Sequence, residues 1–419
     1  MTLVASIGFR SHLHSTYPPP APARKTPFPG SKMRSSYNFE YVALLVIATL
    51  CLFILLNKSS TDNVPHDVVK HSISGPTKQT PFPSKSFRNE KNPLTWNEEY
   101  FWPDCEQNTS VANISGFSTL PGHIQDFLYY QHCRKFRMLL DVPDLCGTTL
   151  QESADVFLLL VIKTSPWNYE RREVLRKTWA KERLQNGVWI RRVFISGTVG
   201  GGQEKLKLNK LMEVENRENE DILQWDFSDT FFNLTLKQIL FLDWMQKRCP
   251  HARFLLNGDD DIFANTDNMV EYLQSLSDNN GDKHLFVGHL IQYVGPIRMS
   301  GSKYFVPVQV QKSDSYPPYC GGGGFLLSGF TAKVIHNMSH SIPLLPIDDV
   351  YMGMCLEKAG LKPLSHFGVR TAGLHFPSTA ADPYDPCYYR EILLVHRFLP
   401  HQIFLMWHGI HDPKLICAS

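Results

Sequence analysis

The sequence predicts an α/β protein with a Rossmann-like, largely parallel central sheet behind a single N-terminal transmembrane helix. Three observations carry that prediction. Between about residues 155 and 256, apolar strand-like runs alternate with charged segments of helical length, the pattern of βαβ units. One run, Arg253-Phe254-Leu255-Leu256, leads into Asn257-Gly258-Asp259-Asp260-Asp261 before apolar residues resume at Ile262. A buried strand thus delivers three carboxylates to a turn at its C-terminal end, where open α/β sheets place their ligands. Far upstream, Tyr41 to Leu56 carries no charge at all.

Residues 1–40 read as a cytosolic tail and 41–56 as a signal anchor. The span is shorter than the roughly 20 residues usual for a membrane helix, but a thin bilayer accommodates it. Arg10, Arg24, Lys25, Lys32 and Arg34 against the single acid Glu40 keep the tail inside and send the remainder into the lumen. This is a single-pass, type II arrangement. Residues 57–95 are rich in Ser, Thr, Lys, Asn and Pro and read as a flexible stem. Aromatics and three cysteines mark an ordered collar over 96–150, with a catalytic domain over 151–419. Sequons at Asn108, Asn113, Asn233 and Asn337 are glycosylation candidates. The eight cysteines beyond Cys51 are expected to form disulfides in an oxidising lumen.

The catalytic domain opens with Val156 to Ile162, a continuous apolar run expected of a strand covered on both faces. A basic helix over 171–179 follows, then a strand over 193–197, a charged helix over about 203–219, a strand over 221–227, a helix over 234–249 and a strand over 254–256. The Gly- and Pro-rich remainder from Lys283 could form the other half of a cleft. The composition, 43% hydrophobic and 20% charged with a net charge of +2, suits a globular enzyme and argues against a nucleic-acid binder.

Four groups of residues carry chemistry. Three adjacent acids repel one another unless a positive partner is near, and Mg²⁺ or Mn²⁺ with phosphates is the simplest one. Arg172 and Arg176 lie on one helical face near the end of the first strand, suited to phosphate or otherwise a solvated face. Tyr316 and Tyr319 precede Gly321 to Gly324, flat rings beside backbone that a ligand can approach closely, although a glycine hinge has the same composition. Asp348 and Asp349 open an apolar helix, either as caps favoured by the dipole or as a base for an acceptor hydroxyl.

These motifs resemble the β-1,3-glycosyltransferase family, which includes the β-1,3-galactosyl- and β-1,3-N-acetylglucosaminyltransferases of the Golgi. The resemblance rests on RREVLRKTW (171–179), DILQWDFSDTFFNLTLK (221–237), FLLNGDDDIFANTDNM (254–269), YPPYCGGGGFLLS (316–328) and IDDVYMGMC (347–355). Their forms look closest to the N-acetylglucosaminyl branch. The resemblance implies a GT-A fold and an inverting, metal-dependent transfer of N-acetylglucosamine from UDP-GlcNAc to galactose-bearing glycans on glycoproteins or glycolipids. It implies metal ligation by Asp261 with Asp259, a general base in Asp349 rather than Asp348, and donor binding by Lys163, Arg172, Arg176, Asp259 and Asp260. Tyr316, Tyr319, Gly322 and Gly323 would meet substrate. Asp229 and Lys237 either shape the same pocket or pair with each other, and His366 and His375 are unassigned. A UDP-galactose donor, or a non-catalytic glycan binder on the same fold, is the competing reading. Retention of all three acids and Asp349 argues against the latter. Pairing with itself or with other glycosyltransferases remains open.

Overall fold

The computed structural model describes residues 105–147, 156–371 and 384–417; the expected anchor at 41–56 and stem at 57–95 lie outside them. Among the described residues, no helix is long and apolar enough to cross a membrane. The first elements in chain order are helix α1 (Gly122–Tyr130) and strands β1 (Met138–Leu140) and β2 (Val156–Lys163). Next come α2 (Tyr169–Lys177), β3 (Arg183–Gln185), β4 (Val188–Thr198), α3 (Gly202–Asn219), β5 (Ile222–Ser228) and α4 (Leu234–Arg248). β6 (Phe254–Asp259), β7 (Ile262–Ala264), α5 (Thr266–Ser275), β8 (Phe286–Gly288), β9 (Leu290–Ile291), β10 (Tyr319–Cys320) and β11 (Gly324–Ser328) follow. The chain then forms α6 (Gly329–Ser339), α7 (Asp348–Lys358), β12 (Leu364–Ser365), β13 (Val369–Arg370), α8 (Pro386–Arg390), β14 (Leu394–His396) and α9 (Pro400–Ile410).

The main sheet runs β1-β5-β4-β2-β6-β11-β8-β12, with β3 on the free end of β4. Its centre, β5-β4-β2-β6, is parallel and is built from the four strands expected from the sequence. Every residue of β2 is buried. Alternate side chains serve the two faces, as strand geometry requires. Leu159 and Val161 pack with α4, α6 and α7, whereas Leu158, Leu160 and Ile162 pack with α2, α3 and α5. Shortening Leu160 to Ala at this depth costs about 2–5 kcal/mol.

Part of the segment after Lys283 joins the main sheet, while β9–β10 and β13–β14–β7 form two smaller sheets. β11 pairs antiparallel with β6 and β8, so it widens the same sheet and draws the glycine run against the acidic turn. Disulfides join Cys105–Cys133, Cys146–Cys249 and Cys387–Cys417. Cys320 and Cys355 are free and buried, so the expectation that all eight would pair is corrected to six. Asn108, Asn113 and Asn337 are exposed. Asn233 donates to Ser228 O at 2.8 Å, and the hydroxyl of its sequon residue Thr235 is buried on Leu345 O at 2.6 Å.

Candidate active site

Strand order reverses between β2 and β6, because β4 and β5 continue on the far side of β2. Such a switch point opens a crevice at the carboxyl ends of the strands. The register sets Lys163, last residue of β2, opposite Asp259, last residue of β6. Lys163 Nζ contacts Asp259 Oδ1 at 3.0 Å and Asp348 Oδ2 at 2.7 Å, joining the acidic turn to the first turn of α7. Burial opposes the ammonium charge, but the two carboxylates outweigh it and raise its pKa far above the ordinary lysine value.

The three consecutive acids separate. Asp260 turns into the protein, accepting from Thr164 Oγ1 at 2.6 Å and Asn168 Nδ2 at 2.8 Å, with Arg171 Nε at 3.8 Å. Burial raises its pKa against those partners. Asp259 and Asp261 instead meet His396, the last residue of β14. His396 Nε2 lies 3.0 Å from Asp261 Oδ1 and 3.7 Å from Asp259 Oδ2. Burial acts against charge on both His396 and Asp261, yet their interaction holds the imidazole pKa up and the Asp261 carboxyl down.

One imidazole nitrogen and two carboxylates, their ligand atoms all within 4.8 Å of one another, form a donor set suited to Mn²⁺ or Mg²⁺. Asp261 Oδ1 is buried without a hydrogen bond of good geometry, an oxygen with a lone pair to give. The residues therefore fit a divalent cation.

Backbone closes the site. Asp259 N–H donates to Gly323 O at 2.9 Å, and Gly322 N–H donates to Asp349 Oδ2 at 2.8 Å. Gly323 adopts φ +102°, and a Cβ there would stand 2.8 Å from the His396 ring. The glycine run is thus a packed spine between the acids, the histidine and α7, not a hinge. Asp349 Oδ1 accepts from Val350 N–H at 2.8 Å. Burial, then the neighbouring Asp348 charge, pushes the Asp349 carboxyl up to about 7. A carboxylate poised there accepts a proton near neutral pH.

Comparison with known proteins decides the family. The galactosyltransferase family model matches residues 170–366. Human N-acetyllactosaminide β-1,3-N-acetylglucosaminyltransferase 3 is 54% identical over 316 residues, 75% of this chain and 82% of that protein. The chain belongs to the β-1,3-glycosyltransferase family. Human acetylgalactosaminyl-O-glycosyl-glycoprotein β-1,3-N-acetylglucosaminyltransferase is 50% identical over 75% of this chain and 81% of its own length. The Rattus norvegicus UDP-GlcNAc:βGal β-1,3-N-acetylglucosaminyltransferase 7 is 40% identical over 78% and 80%. A solved galactosyltransferase in complex with donor and acceptor sugar analogues covers 61% of this chain and 98% of its own at 10% identity, with a TM-score of 0.30, too distant to carry weight.

Several residues of this glycosyltransferase stand elsewhere than expected. Arg172 and Arg176 do not face the crevice. Arg172 is wholly buried, holding Glu215 at 2.7 Å and Ser165 O at 2.7 Å. Arg176 holds Asp221 at 2.8 Å and Glu215 at 2.7 Å. Their donor capacity is spent anchoring α2 to α3 and to Asp221 at the start of β5, which corrects their assignment to the donor. Asp260 is likewise a support for the turn rather than a group facing the crevice. Asp229 and Lys237 pair with each other at 2.8 Å. Tyr316 and Tyr319 meet edge to face, centroids 6.4 Å apart, close enough for Asp349 to raise both hydroxyl pKa values beyond the effect of burial. His366 accepts from Gly368 N–H at 3.0 Å and stays outside the carboxylate cluster; His375 lies outside the described residues. The histidine at the carboxylate cluster, His396, ends the apolar run Ile392-Leu393-Leu394-Val395, a strand delivering a polar group just as Phe254 to Leu256 does.

Proposed function

We propose that this glycosyltransferase transfers N-acetylglucosamine from UDP-GlcNAc, with inversion, onto a galactose-bearing acceptor in β-1,3 linkage, as a single-pass type II protein of the Golgi membrane. The observation that carries the reading is the division of labour around Lys163. On one side Asp259, Asp261 and His396 form a divalent-cation site; on the other, Asp349 is held half-buried by the Gly322 amide with its pKa near neutrality. The GlcNAc donor is supported by relatives at 54%, 50% and 40% identity that are named for that transfer.

A bound Mn²⁺ or Mg²⁺ would supply Lewis-acid stabilisation of the charge that develops on departing UDP. Asp259, Asp261 and His396 would hold it. Asp349 takes the proton from the acceptor hydroxyl as that oxygen attacks the anomeric carbon, leaving the proton on Oδ1 or Oδ2. Asp348 cannot share this role equally, because Lys163 engages its Oδ2 at 2.7 Å. Lys163 keeps both acidic groups in register, and Asp260 braces the turn through Thr164 and Asn168. The test is a donor panel: the full-length protein, Mn²⁺ and a galactose-terminated acceptor with UDP-GlcNAc or UDP-galactose, followed by linkage analysis. The expected product is β-1,3-linked GlcNAc. Transfer of galactose, or a different linkage, overturns the assignment.

A further inference from the structure

Asp229 and Lys237 form an ion pair shut away from solvent, their side chains 6% and 3% exposed. Charges so deeply placed cost desolvation that a well-packed apolar pair of similar volume avoids. Stability alone is thus a poor account of the pair, and its remaining hydrogen bonds give a better one. Asp229 directly follows β5, and its Oδ2 accepts from the Gly197 amide at 2.9 Å and from Ser196 Oγ at 3.3 Å, both in β4. Its own N–H donates to Thr198 O at 2.8 Å. Lys237 stands in the first turn of α4, and its Nζ donates to the carbonyl of Thr164, directly after β2, at 2.7 Å. One pair fastens the carboxyl ends of β2, β4 and β5 to α4, along the sheet edge where the crevice opens.

Thr164 leads from this pair to the acidic turn. Its Oγ1 donates to Asp260 Oδ2 at 2.6 Å, and the Asp260 N–H donates to Lys163 O at 3.1 Å. Asp260 thus grips both sides of the short segment that Lys237 holds from behind. Asp260 also stands between Asp259 and Asp261, the two carboxylates of the candidate cation site. Lys237, Thr164 and Asp260 are all buried, so water does not loosen the chain of contacts. We infer that Lys237, held by Asp229, is a positioning residue for the cation site. Through Thr164 and Asp260 it fixes the turn that presents Asp259 and Asp261. At 2% exposure it meets no ligand itself. This role rests on the cation site proposed above and supplies the support behind it.

The test is calorimetric titration of UDP into the full-length protein, with and without Mn²⁺. Lys237→Met strands the buried Asp229 charge, so melting temperature and affinity should fall together. Combining it with Asp229→Asn removes both charges, while the amide oxygen still accepts from Gly197. The double variant should regain most of the lost melting temperature. It should still bind UDP with Mn²⁺ roughly tenfold more weakly than wild type, the scale of an outer-shell support. Affinity restored along with stability would make the pair merely structural and overturn the inference. Thr164→Val cuts the relay at its far end with the ion pair intact and should lose a similar factor, whereas Thr164→Ser should lose little. Unchanged affinity in Thr164→Val overturns the relay whether or not the double variant folds. A wild-type protein without Mn²⁺-dependent UDP binding contradicts the cation site instead. Amide hydrogen exchange of the metal-free protein then decides the relay: faster exchange across residues 259–261 in the double variant supports it, and equal exchange overturns it.

Discussion

His396 Nε2 meets Asp261 Oδ1 at 3.0 Å although the two lie far apart in sequence. The antiparallel pairing of β14 with β7 sets His396 opposite Ile262, the residue after Asp261, and the Phe398 amide donates to Asp261 O at 2.7 Å. Backbone pairing, rather than side-chain attraction, brings this histidine to the acids. Asp261→Ala and His396→Ala should each weaken Mn²⁺-dependent UDP binding by at least about tenfold while the fold persists. Calorimetric titration with and without Mn²⁺ checks this, and unchanged metal-dependent affinity in both variants contradicts it.

Gly323 supports the same ring. With φ +102° and no room for a Cβ, Gly323→Ala must strain the backbone and push the imidazole away. The expected result is a loss of Mn²⁺ affinity as large as that of His396→Ala, with intact secondary structure by circular dichroism.

Asp349→Asn should keep donor binding and lose transfer by roughly 10²–10⁴, the usual share of a general base. Single-turnover measurements separate the two. Asp348→Asn should lose less, because its carboxylate pairs with Lys163 rather than facing an acceptor.

The Asp349 carboxyl, raised to about 7, also sets a pH dependence. A base works when deprotonated, so kcat/KM should climb with pH through a limb near 7. Lys163 lowers that value, so Lys163→Met should shift the limb upward. The limb belongs to the coupled Asp348–Asp349 pair rather than to one atom. Because the folded pKa lies above the unfolded one, stability from this group is full below the ordinary carboxylate range and is lost as pH rises through about 7. Asp349→Asn should therefore melt higher than wild type at pH 8.

The buried ion network tests the reassignment of the two arginines. Glu215→Gln leaves Arg172 with an uncompensated charge and should cost about 3–5 kcal/mol, read by urea unfolding. UDP affinity of the folded fraction should not change. A selective loss of UDP binding without destabilisation would return Arg172 to the donor site.

Much of this is legible in the sequence. Continuous apolar runs at Val156 and Phe254 announced buried parallel strands, and the acids after Leu256 marked the crevice. What the sequence hid was direction. Adjacent residues in an extended turn point to opposite sides, so Asp260 left the group formed by Asp259 and Asp261. A helical face bearing Arg172 and Arg176 reads the same whether it meets phosphate or Glu215, because the partner lies on α3. His396 carries no signal in the sequence, because only strand pairing brings it near Asp261. The cysteine count likewise could not reveal that Cys320 and Cys355 stay apart in the core.

The most direct measurement is pulsed electron paramagnetic resonance of Mn²⁺ bound with UDP. A nitrogen coupling from one imidazole is expected in the wild-type protein and should disappear in His396→Ala. No nitrogen coupling in the wild type, or one that survives removal of His396, would contradict it.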